Sequence, residues 1–335
     1  MIYIQSKTGG RTENQDFYGT AKTPYGELIV VCDGMGGHNG GRHAAEKAVQ
    51  IILNSLLISS NKKPVEALNK AIENANSFIW KESQSFILGK GMGTTVVALL
   101  LTPDKAICAH VGDSRIYQLK EGKILHRTFD HSHVFELVKA GLINEEQARL
   151  SEKSNIITRG LGIRATVDIE ITDNLSYQKG DRFLLCTDGI WGAVPENELV
   201  EMVSQKSDIE TIITQLVDKI DAIGFENGGR HDNLTAALFE IESSSIIQNS
   251  EVKQSGSTKK IPTSRSKRLI YLLLILLLGS MVVDLCFVMQ KKPVVKKIEK
   301  KMIIKHIHKE KQQTADSSNQ SHPSKNENNQ NWKKS

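Results

Sequence analysis

The chain has 335 residues, 39% of them hydrophobic and 24% charged, with 43 Lys+Arg against 38 Asp+Glu for a formal net charge of +5. That excess is local, because residues 256–335 hold 17 Lys+Arg and 5 Asp+Glu (+12), which leaves −7 on residues 1–255. A mildly acidic globular part excludes a broad basic face for nucleic acid, and four cysteines without CxxC or finger spacing exclude a zinc ribbon.

The N-terminal stretch Met1-Ile2-Tyr3-Ile4-Gln5 lacks the basic start and long apolar core of an export signal. Short apolar runs at 28–32, 94–101, 106–111, 115–119, 182–186 and 234–241 read as strands. Cys32, Cys108 and Cys186 fall inside such runs and are expected to be buried free thiols, which suits a reducing compartment; Cys286 lies further on. Residues 41–57 and 64–84 carry apolar side chains at helical spacing, for example Ala44, Ala48, Ile51, Ile52 and Leu56. Turn signals at Glu121-Gly122 and Lys179-Gly180-Asp181 point to hairpins and antiparallel sheets. Residues 134–140 end at Gly141, and Asn144 caps 145–150 with Gln147 at the capping-box position. The expected fold class over 1–242 is therefore α+β.

Beyond it, 243–268 is rich in Ser, Lys and Gln and reads as a linker. Residues 269–289 are an apolar run that, as a helix, spans roughly 30 Å, the thickness of a bilayer core, so a single transmembrane helix is expected. Asp284 is tolerated because it lies toward one end, within reach of the interface. Residues 290–335 are basic, poor in apolar residues and expected to be largely disordered.

The chemistry lies in acidic residues that close apolar strands beside glycine or asparagine: Asp33-Gly34, Gly112-Asp113, Asp188-Gly189 and Asp232-Asn233. One Asp-Gly is ordinarily a turn. Several carboxylates brought to one sheet edge repel each other unless a hard cation sits between them, and an all-oxygen set suits Mg²⁺ or Mn²⁺. None of the cysteines opens a Cys-x5-Arg nucleophile loop, and the glycines at 34, 36, 37, 40 and 41 do not form a nucleotide loop. Those glycines let backbone approach the ions, and Gly93-Thr94-Thr95 lets a neighbouring strand pass close.

Residues 2–242 resemble the metal-dependent protein phosphatases, the type 2C serine/threonine phosphatases, in their compact bacterial form. The resemblance rests on Arg11-Thr-Glu-Asn14-Gln15-Asp16, Asp33-Gly34-Met35-Gly36-Gly37-His38, Gly91-Met92-Gly93-Thr94-Thr95, Gly112-Asp113-Ser114-Arg115, Asp130-His131-Ser132, Thr158-Arg159-Gly160-Leu161-Gly162, Thr187-Asp188-Gly189 and Asp232-Asn233, in the family's order. It implies a four-layer α-β-β-α sandwich of two antiparallel sheets flanked by helices, with a mobile flap at about 130–162. It also implies two Mn²⁺ or Mg²⁺ ions: Asp33 bridging both, Asp188 and Asp232 completing one, the Gly34 carbonyl and waters serving the other. A third, weaker ion would use Asp113 and Asp188, and Asp16 would order metal-bound water from behind the ligands. Two such cations roughly 3.5 to 4 Å apart can activate water for in-line attack on phosphorus.

Arg11 is the candidate phosphate clamp, since guanidinium geometry matches two phosphate oxygens, against the reading of an ordinary surface arginine. His38 could protonate the departing serine or threonine oxygen; alternatively it only starts a helix or supports the ligands, because eukaryotic relatives carry histidine where this chain has Met35. His43 and His131 are weaker candidates for that role. The implied function is metal-dependent hydrolysis of phosphoserine and phosphothreonine in proteins, opposing a serine/threonine kinase. The alternatives are a non-catalytic phosphoprotein-binding sensor of the same fold, a phosphatase acting on a small anti-anti-sigma-like partner, and a scaffold anchored through its basic tail. Intracellular phosphoproteins would require the catalytic domain in the cytoplasm of a single-pass membrane protein. Arg265, Lys267 and Arg268 before the span are outnumbered by Lys291, Lys292, Lys296, Lys297, Lys300, Lys301 and Lys305 after it, and that count taken alone favours a cytoplasmic tail.

Overall fold

Three apolar layers organise the computed structural model, which describes residues 1–37, 40–84 and 91–242. The chain runs β1 (Ile2–Lys7), β2 (Asp16–Thr23), β3 (Gly26–Met35), α1 (Gly40–Leu57), α2 (Pro64–Ser83), β4 (Gly93–Thr94), β5 (Val96–Leu101), β6 (Ala106–Val111), β7 (Arg115–Lys120) and β8 (Lys123–Arg127). It continues through α3 (His133–Lys139), α4 (Glu145–Arg149), β9 (Glu170–Leu175), β10 (Arg182–Cys186), α5 (Asp188–Trp191), α6 (Glu196–Val203), α7 (Ile209–Glu226) and β11 (Leu234–Glu240). One sheet has the order β1-β11-β10-β7-β8; the other is β2-β3-β5-β6-β9, with β4 pairing β3. Every pairing is antiparallel.

Period-two alternation sorts the strand side chains into layers. Leu28, Val30 and Cys32 of β3 pack with Ala48, Ile52 and Ile72 from the first two helices, whereas Ile29 and Val31 turn the other way. In β10, Leu184 and Cys186 meet Ile213, Leu216 and Val217 of α7, while Phe183 and Leu185 join Ile29 and Val31 in the layer between the sheets. The result is the expected helix–sheet–sheet–helix stack. Cys32, Cys108 and Cys186 are free and buried.

The sequence reading needs correction in places. The third long helix, α7, was not expected: it is capped by Asp208, whose side chain accepts from the Thr211 amide at 2.8 Å, and it buries Ile209, Ile212, Ile213, Leu216, Val217 and Ile220 on one stripe. β1, β2, β8 and β9 were also missed, because their half-exposed, polar-rich faces make no apolar run. The strand expected at 94–101 is broken at Thr95, whose amide leaves the ladder to bond the Asp33 carbonyl at 2.8 Å.

Two local expectations match. Glu121 and Gly122 both take positive φ (49° and 75°), as a two-residue turn joining β7 and β8 requires. The Asn144 capping box is complete, with Gln147 N–H donating to Asn144 Oδ1 at 2.8 Å and Asn144 N–H to Gln147 Oε1 at 2.9 Å. Among the described residues no helix is long and apolar enough to cross a membrane. The linker 243–268, the span 269–289, the tail 290–335, Cys286 and His38 lie outside the described residues.

Candidate functional site

Strand parity places the site. Asp33 shares the parity of Ile29 and Val31, so at the end of β3 its carboxylate enters the gap between the sheets, opposite Asp16, its register partner on β2. Thr187 continues the inward-facing series Phe183 and Leu185, and Thr235 that of Ala237. Their hydroxyls both donate to Asp16 Oδ2, at 3.0 and 2.6 Å. Asp188 begins α5 directly after β10, and Asp232 lies just ahead of β11. The antiparallel order of β10 and β11 brings these two to the same end of the gap as Asp33.

Backbone is fixed tightly there. Thr95 Oγ1 accepts from the Asp33 amide at 2.9 Å and meets Ser114 Oγ at 2.7 Å, and Thr94 Oγ1 donates to the Asp33 carbonyl at 2.8 Å. A Cβ on Gly34 would stand 2.1 Å from the Gly41 carbonyl oxygen, so only glycine lets the chain that starts α1 pass this close. Asp113 is buried on the β6–β7 turn, where its carbonyl accepts from Trp191 Nε1 at 2.9 Å. The Arg115 guanidinium lies 3.6 Å over that indole and holds Asp130 through two bonds at 2.8 and 2.7 Å.

The carboxylates line the floor of an open cleft of about 820 Å³ whose walls include Arg11, Gln15, Met35, Asn155, Ile157 and Asn233. Asn155 and Ile157 come from the flap, so the segment expected to lie beside the cleft does so. The electrostatics are those of unbalanced negative charge. Burial, then Asp16 and Asp188, pushes Asp33 well above the usual carboxylate range, and burial with Asp188 does the same to Asp113. Burial raises Asp16 to about 7; burial and Asp232 raise Asp188 to about 6. Asp16 Oδ1 and Asp188 Oδ1 are buried without a hydrogen-bond partner. Clustered carboxylates with an orphaned oxygen on Asp188 fit a hard divalent cation, which would neutralise the repulsion and take up that lone pair.

Arg11 is at the cleft rim, half exposed, and its Nη2 donates to Asp232 Oδ2 at 2.7 Å. His43 points elsewhere, pairing with Glu82 at 2.6 Å between α1 and α2. His131 is buried outside the cleft lining: its Nδ1 accepts from the Gly112 amide at 3.2 Å and its Nε2 faces Glu170 Oε2 at 3.3 Å. With His110 and Glu170 it gathers three ligand-type atoms within 4.8 Å of one another. The two rings are stacked at 4.5 Å and 13°, which sends their in-plane lone pairs alongside each other instead of toward one point. Burial and His110 lower His131 to about 4, so the ring is neutral, and its Nε2 also has Arg159 Nη1 at 3.4 Å. We therefore read this cluster as a hydrogen-bonded prop under the flap, not as a metal centre.

Sequence reasoning missed the parts played by Thr187, Thr235 and Asn233. Parity along β10 and β11 was the available signal for the two threonines.

Known proteins resemble this chain in sequence and fold. The family model described as "Protein phosphatase 2C" matches residues 6–234. The serine/threonine phosphatase stp of Listeria monocytogenes is 34% identical over 236 residues, covering 69% of this chain and 88% of the relative. The solved serine/threonine phosphatase of S. agalactiae superposes with a TM-score of 0.64 at 33% identity, covering 72% of this chain and 99% of that one. The catalytic domain of the phosphatase PstP, solved in complex with 2 manganese ions, superposes at 0.61 with 26% identity, covering 72% and 98%. By its fold, its cleft of converging aspartates and these likenesses, the chain belongs to the protein phosphatase 2C family.

Proposed function

We propose that the chain is a protein-serine/threonine phosphatase that hydrolyses phosphoserine and phosphothreonine with divalent cations, Mn²⁺ or Mg²⁺, held by Asp33, the Gly34 carbonyl, Asp188 and Asp232. The observation that carries this reading is the convergence of these carboxylates, with Asp188 Oδ1 buried and unpartnered, at the floor of a cleft with an arginine on its rim. The bound ions supply a water activated for attack and neutralise charge building on the phosphoryl group. Asp16, held by two threonine hydroxyls on one oxygen, keeps its other oxygen free to orient water from behind. Arg11 offers paired N–H donors to phosphate oxygens. Asp113 with Asp188 would hold a third, weaker ion, and His38 would protonate the leaving oxygen. Asn155 and Ile157 face the substrate. The full-length chain should release phosphate from a phosphothreonine peptide with Mn²⁺ and lose that activity in EDTA; equal rates in both would reject the reading.

The opposing activity is a serine/threonine kinase in the same compartment. The reading also places 269–289 as a single membrane span with residues 1–242 in the cytoplasm, supported by the length and apolarity of that run. The chain should then stay with the membrane pellet in alkaline carbonate and dissolve in detergent, with its catalytic domain cleaved by protease only in lysed cells. Recovery in the carbonate supernatant would remove the span.

A further inference from the structure

An arginine clamp selects a phosphate only if the backbone that carries it is fixed, because the side chain itself has several freely turning bonds. Arg11 sits in the turn between β1 and β2, a stretch with no ladder of its own. Gly10 is tied to the neighbouring segment by its amide, which donates to the His231 carbonyl at 3.1 Å. Toward β2, the Asn14 carbonyl accepts from Arg42 Nη1 at 2.7 Å, Asn14 Nδ2 donates to Ser6 Oγ at 2.8 Å and the Gln15 carbonyl accepts from the Gly34 amide at 3.2 Å, while the carbonyls of Thr8 and Glu13, on either side of Arg11, are both held by one side chain. Asn233 is 5% exposed, and its Nδ2 donates to the Thr8 carbonyl at 2.7 Å and to the Glu13 carbonyl at 2.9 Å. Its Oδ1 accepts from the Gln15 amide at 2.8 Å. Both ends of the Arg11 turn are thus closed on a single amide group. The same residue's backbone amide donates to Asp232 Oδ1 at 2.8 Å.

We propose that Asn233 is a positioning residue which sets where Arg11 meets the phosphoryl group, by stapling the 8–13 turn to the strand entrance that bears Asp232; the inference rests on Arg11 acting as the phosphate clamp. The chemistry singles out asparagine. Aspartate has the shape but no donors, so two attractions to carbonyls would become repulsions, and an apolar residue would leave three backbone groups without partners. Glutamine would carry the amide one methylene too far.

A double-mutant cycle on the full-length, Mn²⁺-loaded chain tests this, with p-nitrophenyl phosphate as substrate and inorganic phosphate as competitor. With Arg11 present, Asn233→Ala should raise KM and the phosphate inhibition constant by about tenfold, the loss of one well-placed charged contact. The Mn²⁺ midpoint and kcat should move by less than about twofold. In the Arg11→Ala background the same change should add less than about twofold, since a residue acting only through Arg11 has nothing left to position. Amide exchange over residues 8–13 should quicken while β1 and β11 stay protected. Full additivity, a shifted Mn²⁺ midpoint, or unchanged exchange over 8–13 would overturn the proposal. If Arg11→Ala alone leaves KM and phosphate inhibition unchanged, the clamp reading itself fails, and that single variant shows it. Should Asn233→Ala not fold, Asn233→Ser, which retains a small polar group, carries the same cycle.

Discussion

An Asp188→Ala chain should lose at least about 10³-fold in kcat on a phosphothreonine peptide, because removing a ligand forfeits several kcal/mol of metal-derived charge stabilisation. A second readout separates this from unfolding. In the metal-free protein, burial and Asp232 hold the Asp188 pKa at about 6, above its ordinary carboxylate value. A raised folded-state pKa means that the folded state holds a proton which the unfolded chain has given up. The stability of the metal-free wild type therefore falls as pH climbs from about 4 through about 6. Asp188→Ala removes that penalty. In EDTA the variant should melt at or above the wild type at pH 8, with the difference shrinking toward pH 4, while the Mn²⁺-induced rise in Tm disappears. An inactive variant that still gains Tm with Mn²⁺ as the wild type does would dissociate Asp188 from the metal.

Arg11→Ala should raise KM for phosphorylated substrates by roughly 10- to 100-fold, the span expected for hydrogen bonds to a charged group. Arg11→Lys should recover only part of this, since an ammonium keeps the charge but cannot grip two oxygens at fixed spacing. Stability should change by less than about 1 kcal/mol, because the Arg11–Asp232 pair is half exposed on one side and a third exposed on the other. A variant that loses Mn²⁺ binding but keeps KM would instead make Arg11 a prop for Asp232.

How much of this was legible before the fold was known depends on where each residue's partners lie. Residues 28–32 announced a buried strand by apolarity, and Asp33-Gly34 at its tip announced an unusual carboxylate. β2 gave no such sign, since Asp16-Phe-Tyr-Gly-Thr-Ala-Lys-Thr is buried only at its two ends, alternates half-buried and exposed positions between them, and looks like turn-rich surface. α7 was overlooked because β-branched Ile209, Ile212, Ile213 and Ile220 favour strands locally, and only packing against β10 and β11 settles them as helix. The metal-ligand candidates were readable one by one from their glycine neighbours. The network behind them was not: Thr187 and Thr235 meet Asp16 across sequence separations of 171 and 219, and Asn233 reaches Thr8 across 225. Such contacts come from strand register, which a motif does not encode.

The pairing of β1 with β11 has a practical outcome for anything attached to this enzyme. Lys7 lies beside Leu234 near the carboxylates, and Ile2 beside Phe239 at the opposite edge. The Met1 carbonyl accepts from the Glu240 amide there at 2.9 Å. The six rises of about 3.3 Å from Leu234 to Glu240 along β11 separate these edges by roughly 20 Å. Both the first residue and the exit at residue 242 therefore emerge at the blunt rear of the sandwich. A label or fusion partner added at Met1 would start there, leaving the mouth open to an incoming phosphoprotein.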